Sequence, residues 1–318
     1  MCTSRRDFVR AGLSCGAYLA TAGFALPASV RSAFAARPRG IVRATEPWGR
    51  IEELAEGVYA IVSTPLGGDF TTISNGGLVV GRDSILAIEG YGSPAGARWV
   101  SDFAEETLGR RPTHAVLTHY HGDHSVGQGG YRDRPGELRV VSTSETLRLL
   151  EADTQTERLL PNMVLQDGET STEIDLGGRV VRLVSREGHT SSDVTVEIDE
   201  PRVTWCGDLV WKDMFPNYVD AKPSRLMRAV RATLGDVGAT FVPGHGEMSD
   251  RAGLQNYVEM LEHVGDAATE AFRAGQSAAE ASAEYTIPES LGEFVRFSPT
   301  YYEVAFNAWY GDLGGGDR

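Results

Sequence analysis

The feature that most constrains this chain is a run of seven residues, Thr118 to His124, that contains three histidines and one aspartate. The run directly follows a short strand-like segment, residues 115–117, made of Ala, Val and Leu. We therefore expect it to lie in the loop at the carboxyl end of a strand. Such a loop presents several side chains at one point, and imidazole together with carboxylate is a ligand set for zinc or iron.

Three later positions have the same local form, a strand-like segment that ends in a polar residue beside glycine: His189, Asp208 and His245. Glycine lets the backbone turn sharply at such a point. A structural zinc site explains the pattern poorly, because such sites are closed, four-coordinate and usually contain cysteine. Seven nitrogen and oxygen ligands fit two metals with open positions instead. The predicted ligands are His119, His121, Asp123, His124, His189, Asp208 and His245. The two remaining histidines, His114 and His263, are interpreted as ordinary surface or core residues.

Short segments rich in β-branched residues recur along the chain and are bounded by Gly, Asp, Asn or Pro, which is typical of strands. They fall at 58–62, 77–80, 85–88, 115–117, 140–141, 180–184, 194–198, 203–206 and 240–242. Helical patterns lie between and after them, at about 94–108, 144–151, 224–234, 251–274 and 277–285. Strands interleaved with helices predict an α/β layered domain. An aromatic-rich end, about 294–310, is interpreted as a C-terminal helix packed on that domain, with a dimer contact as the alternative.

The charge of the chain argues against a nucleic-acid partner. There are 30 basic and 44 acidic residues in 318, a formal net charge of −14. Binding to phosphates needs clustered Lys and Arg. A nuclease is therefore disfavoured, and a small-molecule substrate is expected.

The first 35 residues have the form of a twin-arginine export signal. Arg5 and Arg6 precede a weakly apolar stretch, and the small-residue sequence Ala-Phe-Ala at 33–35 is a suitable cleavage site. The alternative, an uncleaved membrane anchor, is disfavoured because the apolar stretch is short for a bilayer and stops at Pro27. The sequence therefore predicts recognition by the twin-arginine export machinery and a periplasmic or secreted location without stable membrane insertion. After cleavage Cys206 would remain as the sole cysteine, so no intramolecular disulfide would be possible.

The ordered ligand pattern resembles that of the metallo-β-lactamase-fold hydrolases, over roughly residues 45 to 260. Their pattern His-x-His-x-Asp-His, followed by a later His, Asp and His, is complete here. The resemblance implies an α/β fold, a four-layer αβ/βα metallo-β-lactamase sandwich with the metals at one edge between its two sheets. Residues 36–318 would form this single domain, with a C-terminal helical part at about 251–310.

The resemblance also implies a division of the ligands. A first metal would be held by His119, His121 and His189, a second by Asp123, His124 and His245, and Asp208 would bridge them. The sequence departs from the family at Glu89, where an aspartate commonly supports a metal-binding histidine. It also carries Asp208 where true zinc β-lactamases usually have Cys or Ser, which disfavours β-lactam hydrolysis.

By this resemblance the chain is expected to be an exported zinc hydrolase with two Zn²⁺ ions. A metal-bridging hydroxide, fixed by the catalytic carboxylates Asp123 and Asp208, would cleave an ester, lactone, thioester or amide bond. The first alternative is a mononuclear iron persulfide dioxygenase of the same fold, which would use His119, His189 and Asp208. A β-lactamase and a non-catalytic metal-dependent binding protein are the others.

Substrate contacts are expected near the ligands. The candidates are Tyr120, Trp211, Lys212, Phe215 and Tyr218. Lys212 could bind a carboxylate of the substrate. The competing interpretation is that Lys212 is merely solvated and that the aromatic side chains pack their own loop.

Overall fold

The computed structural model describes residues 39–65, 68–132, 138–165, 171–234 and 239–314. The predicted export signal, residues 1–35, lies outside the described residues. Among the residues described, no helix is both long enough and apolar enough to cross a membrane.

The described segments form thirteen strands, seven α-helices and two short 3-10 helices. The strands are β1 (Ile41–Glu46), β2 (Gly49–Ala55), β3 (Val58–Ser63), β4 (Gly76–Val80), β5 (Ile85–Ile88), β6 (His114–Val116), β7 (Arg139–Ser142), β8 (Met163–Val164), β9 (Ser171–Asp175), β10 (Val180–Ser185), β11 (Val194–Ile198), β12 (Val203–Trp211) and β13 (Thr240–His245). The helices are α1 (Pro94–Leu108), α2 (Gly122–Ser125), α3 (Ser144–Ala152), α4 (Pro223–Thr233), α5 (Arg251–Arg273), α6 (Ala278–Glu284) and α7 (Tyr301–Leu313). The 3-10 helices are Gly127–Tyr131 and Glu289–Leu291.

The strands form two sheets whose order follows the chain. Strands β1 to β8 form the first sheet in sequence order, antiparallel through β5 and parallel from β5 to β8. The second sheet has the order β13-β12-β11-β10-β9, and only its β12–β13 pair is parallel. Strands β10, β12 and β13 therefore run in the same direction, so their carboxyl ends meet at one edge of the sheet.

Three hydrophobic clusters show that the elements are stacked in four layers. Strand β3 alternates between two of them, because successive side chains of a strand point to opposite faces. Tyr59 and Ile61 pack with Val100 of α1, whereas Val58 and Ala60 join the cluster between the two sheets. The third cluster joins the second sheet to α4, α5, α6 and α7. The αβ/βα sandwich expected from the sequence is confirmed.

The strand that carries Asp208 is longer than the sequence indicates. The pattern predicts an end at Cys206, but β12 continues to Trp211. Gly207 has a φ of 51°, and the pairing with β13 shifts register on both sides of it. Such an irregularity re-aims a side chain without ending the strand, and it leaves Asp208 facing the ligands.

Candidate metal centre

The seven predicted ligands come together in two adjoining clusters at the edge of the sandwich. His119, His121, His189 and Asp208 form one group, and Asp123, His124 and His245 form the other. Within each group the potential ligand atoms lie within 4.8 Å of one another. His114 and His263 lie apart from both groups and bind neighbouring hydroxyls, those of Thr113 and Tyr285. We call the two groups the first and the second cluster.

Asp208 is shared between the clusters, and each of its oxygens faces a different one. Its Oδ2 lies 3.3 Å from His189 Nε2 and 4.0 Å from His119 Nε2 of the first cluster. Its Oδ1 lies 3.1 Å from His124 Nε2 and 3.3 Å from His245 Nε2 of the second. One carboxylate with this orientation can serve both clusters at once.

In the part of the chain that the structure describes, several of the potential ligand atoms are buried without a hydrogen-bond partner, which suits them to bind metal ions. Both oxygens of Asp123 and of Asp208, and the Nε2 atoms of His124 and His245, are buried and form no hydrogen bond of normal geometry within the described residues. Unpaired buried polar atoms are costly, and native proteins rarely retain them without a ligand or a functional reason. The first cluster would hold one metal, the second would hold another, and Asp208 could contact both.

The electrostatics of the clusters favour a cation. Burial lowers the pKa of His189 to about 3 and lowers that of His119 well below its usual value. At His245 burial also acts to lower the pKa, but the charges and hydrogen bonds of Asp208 and Asp123 together outweigh it and raise the pKa to about 9. Burial opposes ionisation of Asp208, yet His245 and His124 hold the pKa of its carboxyl well below the usual range. The buried Asp208 is therefore negatively charged, and a divalent cation would compensate that charge.

Glu89 supports the second cluster from behind. It follows β5 directly, and its Oε1 accepts hydrogen bonds from His124 Nδ1 at 2.9 Å and from Thr118 Oγ1 at 2.5 Å. The bond to His124 Nδ1 leaves Nε2 to face the cluster. Glu89 has a φ of 78°, a left-handed conformation that costs a non-glycine residue about 1 kcal/mol or more. The longer glutamate side chain thus occupies the supporting position that the sequence indicated.

Asp220 supports a ligand of the first cluster, a role that was not predicted from the sequence. Its Oδ2 accepts hydrogen bonds from His121 Nε2 at 2.9 Å and from Tyr120 Oη at 2.5 Å. Asp220 lies between β12 and α4, twelve residues after Asp208 in the printed sequence. No glycine or histidine marks the position. The one signal in the sequence is a carboxylate in the segment that follows β12, the strand that carries Asp208.

The expected substrate contacts divide into three kinds. Trp211 reaches the second cluster, with its ring centroid 4.2 Å from that of His245. Tyr120 lies beside the first cluster, but its hydroxyl is engaged by Asp220. Lys212 directly follows the end of β12, and its ammonium pairs with Asp213. Lys212 therefore differs from the expectation in that its ammonium is engaged by a neighbouring carboxylate, and its contact with substrate stays a prediction.

Phe215 and Tyr218 also differ from the expectation. Both are buried in the hydrophobic cluster formed by the second sheet and the C-terminal helices. The Phe215 ring lies 4.8 Å from that of Tyr302, centroid to centroid. They pack their own loop against the C-terminal helices, which was the competing interpretation. Neither presents a surface to a substrate.

The fold and the two clusters define a class of metal-dependent enzymes with ligands at one edge of an αβ/βα sandwich. The profile of the Metallo-beta-lactamase superfamily matches residues 82–266, more than half of the chain. The chain therefore belongs to the metallo-beta-lactamase superfamily. It is a metal-dependent hydrolase of that superfamily.

Individual relatives are more distant. The chain is 25% identical over 197 residues to a hydroxyacylglutathione hydrolase of Acidiphilium cryptum, which covers 62% of this chain and 74% of the relative. It is 26% identical over 167 residues to the metallo-beta-lactamase type 2 of Bacillus cereus, which covers 50% of this chain and 62% of the relative. Among solved structures, the sec-alkylsulfatase Pisa1 of Pseudomonas sp. superposes with a TM-score of 0.66 at 14% identity, over 84% of this chain and 50% of that one. This last likeness concerns the fold alone.

Proposed function

We propose that the protein is an exported dinuclear zinc hydrolase that cleaves an ester, lactone, thioester or amide bond of a small molecule. The observation that carries the proposal is the orientation of Asp208, whose two oxygens face different ligand clusters. When bound, zinc would lower the pKa of its water to roughly 7 and polarise the bond under attack.

The residues of the chain have separate tasks in this proposal. His119, His121 and His189 would hold the first zinc, Asp123, His124 and His245 would hold the second, and Asp208 has one oxygen toward each cluster. Both oxygens of Asp123 are buried without a hydrogen-bond partner in the described part of the chain, so one could bind the second metal while the other accepts a proton. The protein needs no serine or cysteine nucleophile, and burial raises the pKa of the Cys206 thiol, which suppresses its thiolate.

An acyl compound is the substrate class we favour. The similarity to a hydroxyacylglutathione hydrolase supports it. β-Lactam hydrolysis ranks lower, because Asp208 stands where the zinc β-lactamases usually carry Cys or Ser. Export is supported by Arg5 and Arg6 and the small residues at 33–35. Cell fractionation of the wild-type protein and of an Arg5→Lys, Arg6→Lys variant tests it, and equal export of both would contradict a twin-arginine route.

The first experiment is elemental analysis of the protein purified from an exporting host without added metal, followed by assays with esters, lactones, thioesters and β-lactams. About two zinc ions per chain with turnover of an acyl substrate would support the proposal. About one iron per chain with oxygen-dependent persulfide turnover would replace it with the dioxygenase alternative. Asp208→Ala should abolish turnover and lower the metal content, whereas Asp199→Ala on the exposed surface should change neither. Full activity of Asp208→Ala would refute the site.

A further inference from the structure

One carboxylate outside both clusters is bonded directly to a ligand of the first cluster. Asp220 Oδ2 lies 2.9 Å from His121 Nε2 and 2.5 Å from Tyr120 Oη. Its side chain is only 25% exposed, so water screens these bonds weakly. Tyr120 Oη and His121 Nε2 donate to the same oxygen of Asp220. The hydrogen bond from Tyr120 therefore holds the carboxylate in position to accept from His121.

This contact determines which nitrogen His121 can offer to a metal. Because Nε2 donates its proton to Asp220, the proton-free nitrogen is Nδ1. That Nδ1 lies 3.0 Å from His119 Nε2 and 3.1 Å from His189 Nε2. The three nitrogens thus converge on one point. His121 offers its Nδ1 there, whereas His119 and His189 offer their Nε2 atoms. If the Nε2 contact were lost, the ring of His121 could rotate or take the other tautomer.

Asp220 is not itself placed as a ligand, because it meets the far nitrogen of His121 and lies outside both clusters. It borders a cavity of about 490 Å³ that is also lined by Lys222, Arg225 and Asp312. Asp312 accepts a hydrogen bond from Ser224 N at 2.8 Å and lines the same cavity without contacting a metal ligand. It is therefore a matched control for the charge of Asp220.

We propose that Asp220, fixed by Tyr120, is a positioning residue that orients His121 and sets the metal affinity of the first cluster. The inference rests on the proposed function, since it presumes that both clusters bind metal. A carboxylate bonded to a ligating imidazole raises its basicity and fixes its orientation, and loss of such a partner typically weakens metal binding about 10–100-fold. The second cluster contains no ligand that touches Asp220, so its affinity should not change.

The test measures zinc dissociation constants of the full chain by competition with a chromogenic chelator. In Asp220→Ala one of the two binding steps should weaken about 10–100-fold while the other stays at the wild-type value. Asp220→Asn keeps the shape and an acceptor oxygen, so it should weaken the same step less. Tyr120→Phe should show the smallest loss, and Asp312→Asn should match the wild type. The visible spectrum of the cobalt-substituted protein supplies a second readout, since only the absorption of the first cluster should change.

Wild-type affinity at both steps in both Asp220 variants would overturn the inference alone. Equal weakening of both steps would also overturn it, because that is the result of a general loss of structure. If Asp220→Ala fails to fold, Asp220→Asn and Tyr120→Phe still decide the question, with thermal unfolding as the check on folding. Absence of tight metal binding in the wild type would overturn this inference and the proposed function together.

Discussion

Gly244 shows how closely the backbone approaches the shared carboxylate. A Cβ added there would overlap Asp208 Oδ1 and crowd the backbone of Gly207. The backbone cannot withdraw easily, because Asn75 N donates to Gly244 O at 2.8 Å. At this position only glycine leaves room for the carboxylate to face both clusters.

We expect Gly244→Ala to displace Asp208, because the added methyl group has no free space. The variant should bind fewer metal ions, lose most of its activity and become less stable by about 1–3 kcal/mol. Metal analysis and denaturant unfolding check these outcomes. Gly311→Ala is the control: it lies in α7 with open space around it, and the change should be neutral or stabilising by up to about 1 kcal/mol. Two tightly bound zinc ions in Gly244→Ala would contradict the argument.

At the scale of elements, the long helix α5 begins shortly after β13, the strand that ends at His245. Its N-cap is Asp250, whose side chain accepts a hydrogen bond from Gly253 N at 2.9 Å and pairs with Arg39. Buried residues along one face of α5, Leu254 and Val258 among them, pack it against the second sheet. The cap therefore fixes the start of a helix that covers the sheet beneath the site.

Removal of this cap should have a pH-dependent cost. The hydrogen bond from Gly253 N, with Arg39, lowers the pKa of Asp250 against the opposing effect of burial. A carboxyl whose pKa is lowered on folding stabilises the protein above its unfolded pKa of about 3.9, and this contribution is lost as the pH falls through the lower folded value. Asp250→Ala should therefore cost about 1 kcal/mol at pH 7 and less in acid.

Urea unfolding of the wild type and of Asp250→Ala at pH 7 and near pH 3 measures the difference. Asp250→Asn retains the capping oxygen without the charge, so it should lose little at pH 7 and show less dependence on pH. A cost for Asp250→Ala that is equal at both pH values would show that the charge contributes nothing.

At the scale of the whole molecule, Asn75 connects the two halves of the sandwich. Its Nδ2 donates to Pro243 O at 2.9 Å and to Gly246 O at 2.7 Å, on either side of His245. Its Oδ1 accepts from Ser63 N at 2.8 Å. One buried amide thus ties the first sheet to the end of β13, the strand of the second sheet that supplies His245.

Asn75→Ala should destabilise the protein by about 1–3 kcal/mol, because it leaves buried donors and acceptors without partners. It should also weaken metal binding at the second cluster, since the end of β13 loses two hydrogen bonds. Thermal unfolding and chelator competition measure the two effects. Asn256→Ala removes one side-chain bond in α5, to Leu291 O, and should lower stability without changing metal affinity. Equal metal affinity in Asn75→Ala and the wild type would refute the second effect.

Each metal would join the two halves as well. The first cluster takes His119 and His121 from the first half and His189 from the second, and the second cluster joins His124 to His245. Zinc added to the chelator-treated protein should therefore raise the unfolding temperature, with a stabilisation of about 2.7 kcal/mol per site at a free concentration of 100 times the dissociation constant. Magnesium, which prefers oxygen ligands, serves as the control and should give little change. Equal effects of both ions would contradict specific binding at the clusters.

The sequence by itself determined the ligands and much of the layered fold. His119, His121 and His124 lie in one loop after one strand, so their proximity follows from local geometry. The glycines beside Asp208 and His245 mark turns in the same local way. Most predicted strands and helices occur where the patterns indicated, because each pattern reflects burial on one face of its own element.

Only the tertiary structure decided which side chains support the ligands and which are merely packed. The partner of His121 is Asp220, a residue 99 positions away, and no local pattern encodes that contact. Phe215 and Tyr218 lie beside the ligand strand in sequence, yet the C-terminal helices bury them. Strands β1 and β2 were not predicted, since β1 is mostly exposed and the charged residues of β2 mask its alternation. The contacts of Asp220, Phe215 and Tyr218 join segments that are far apart in sequence. Their energy depends on the tertiary structure that brings the segments together, so no local pattern reveals them.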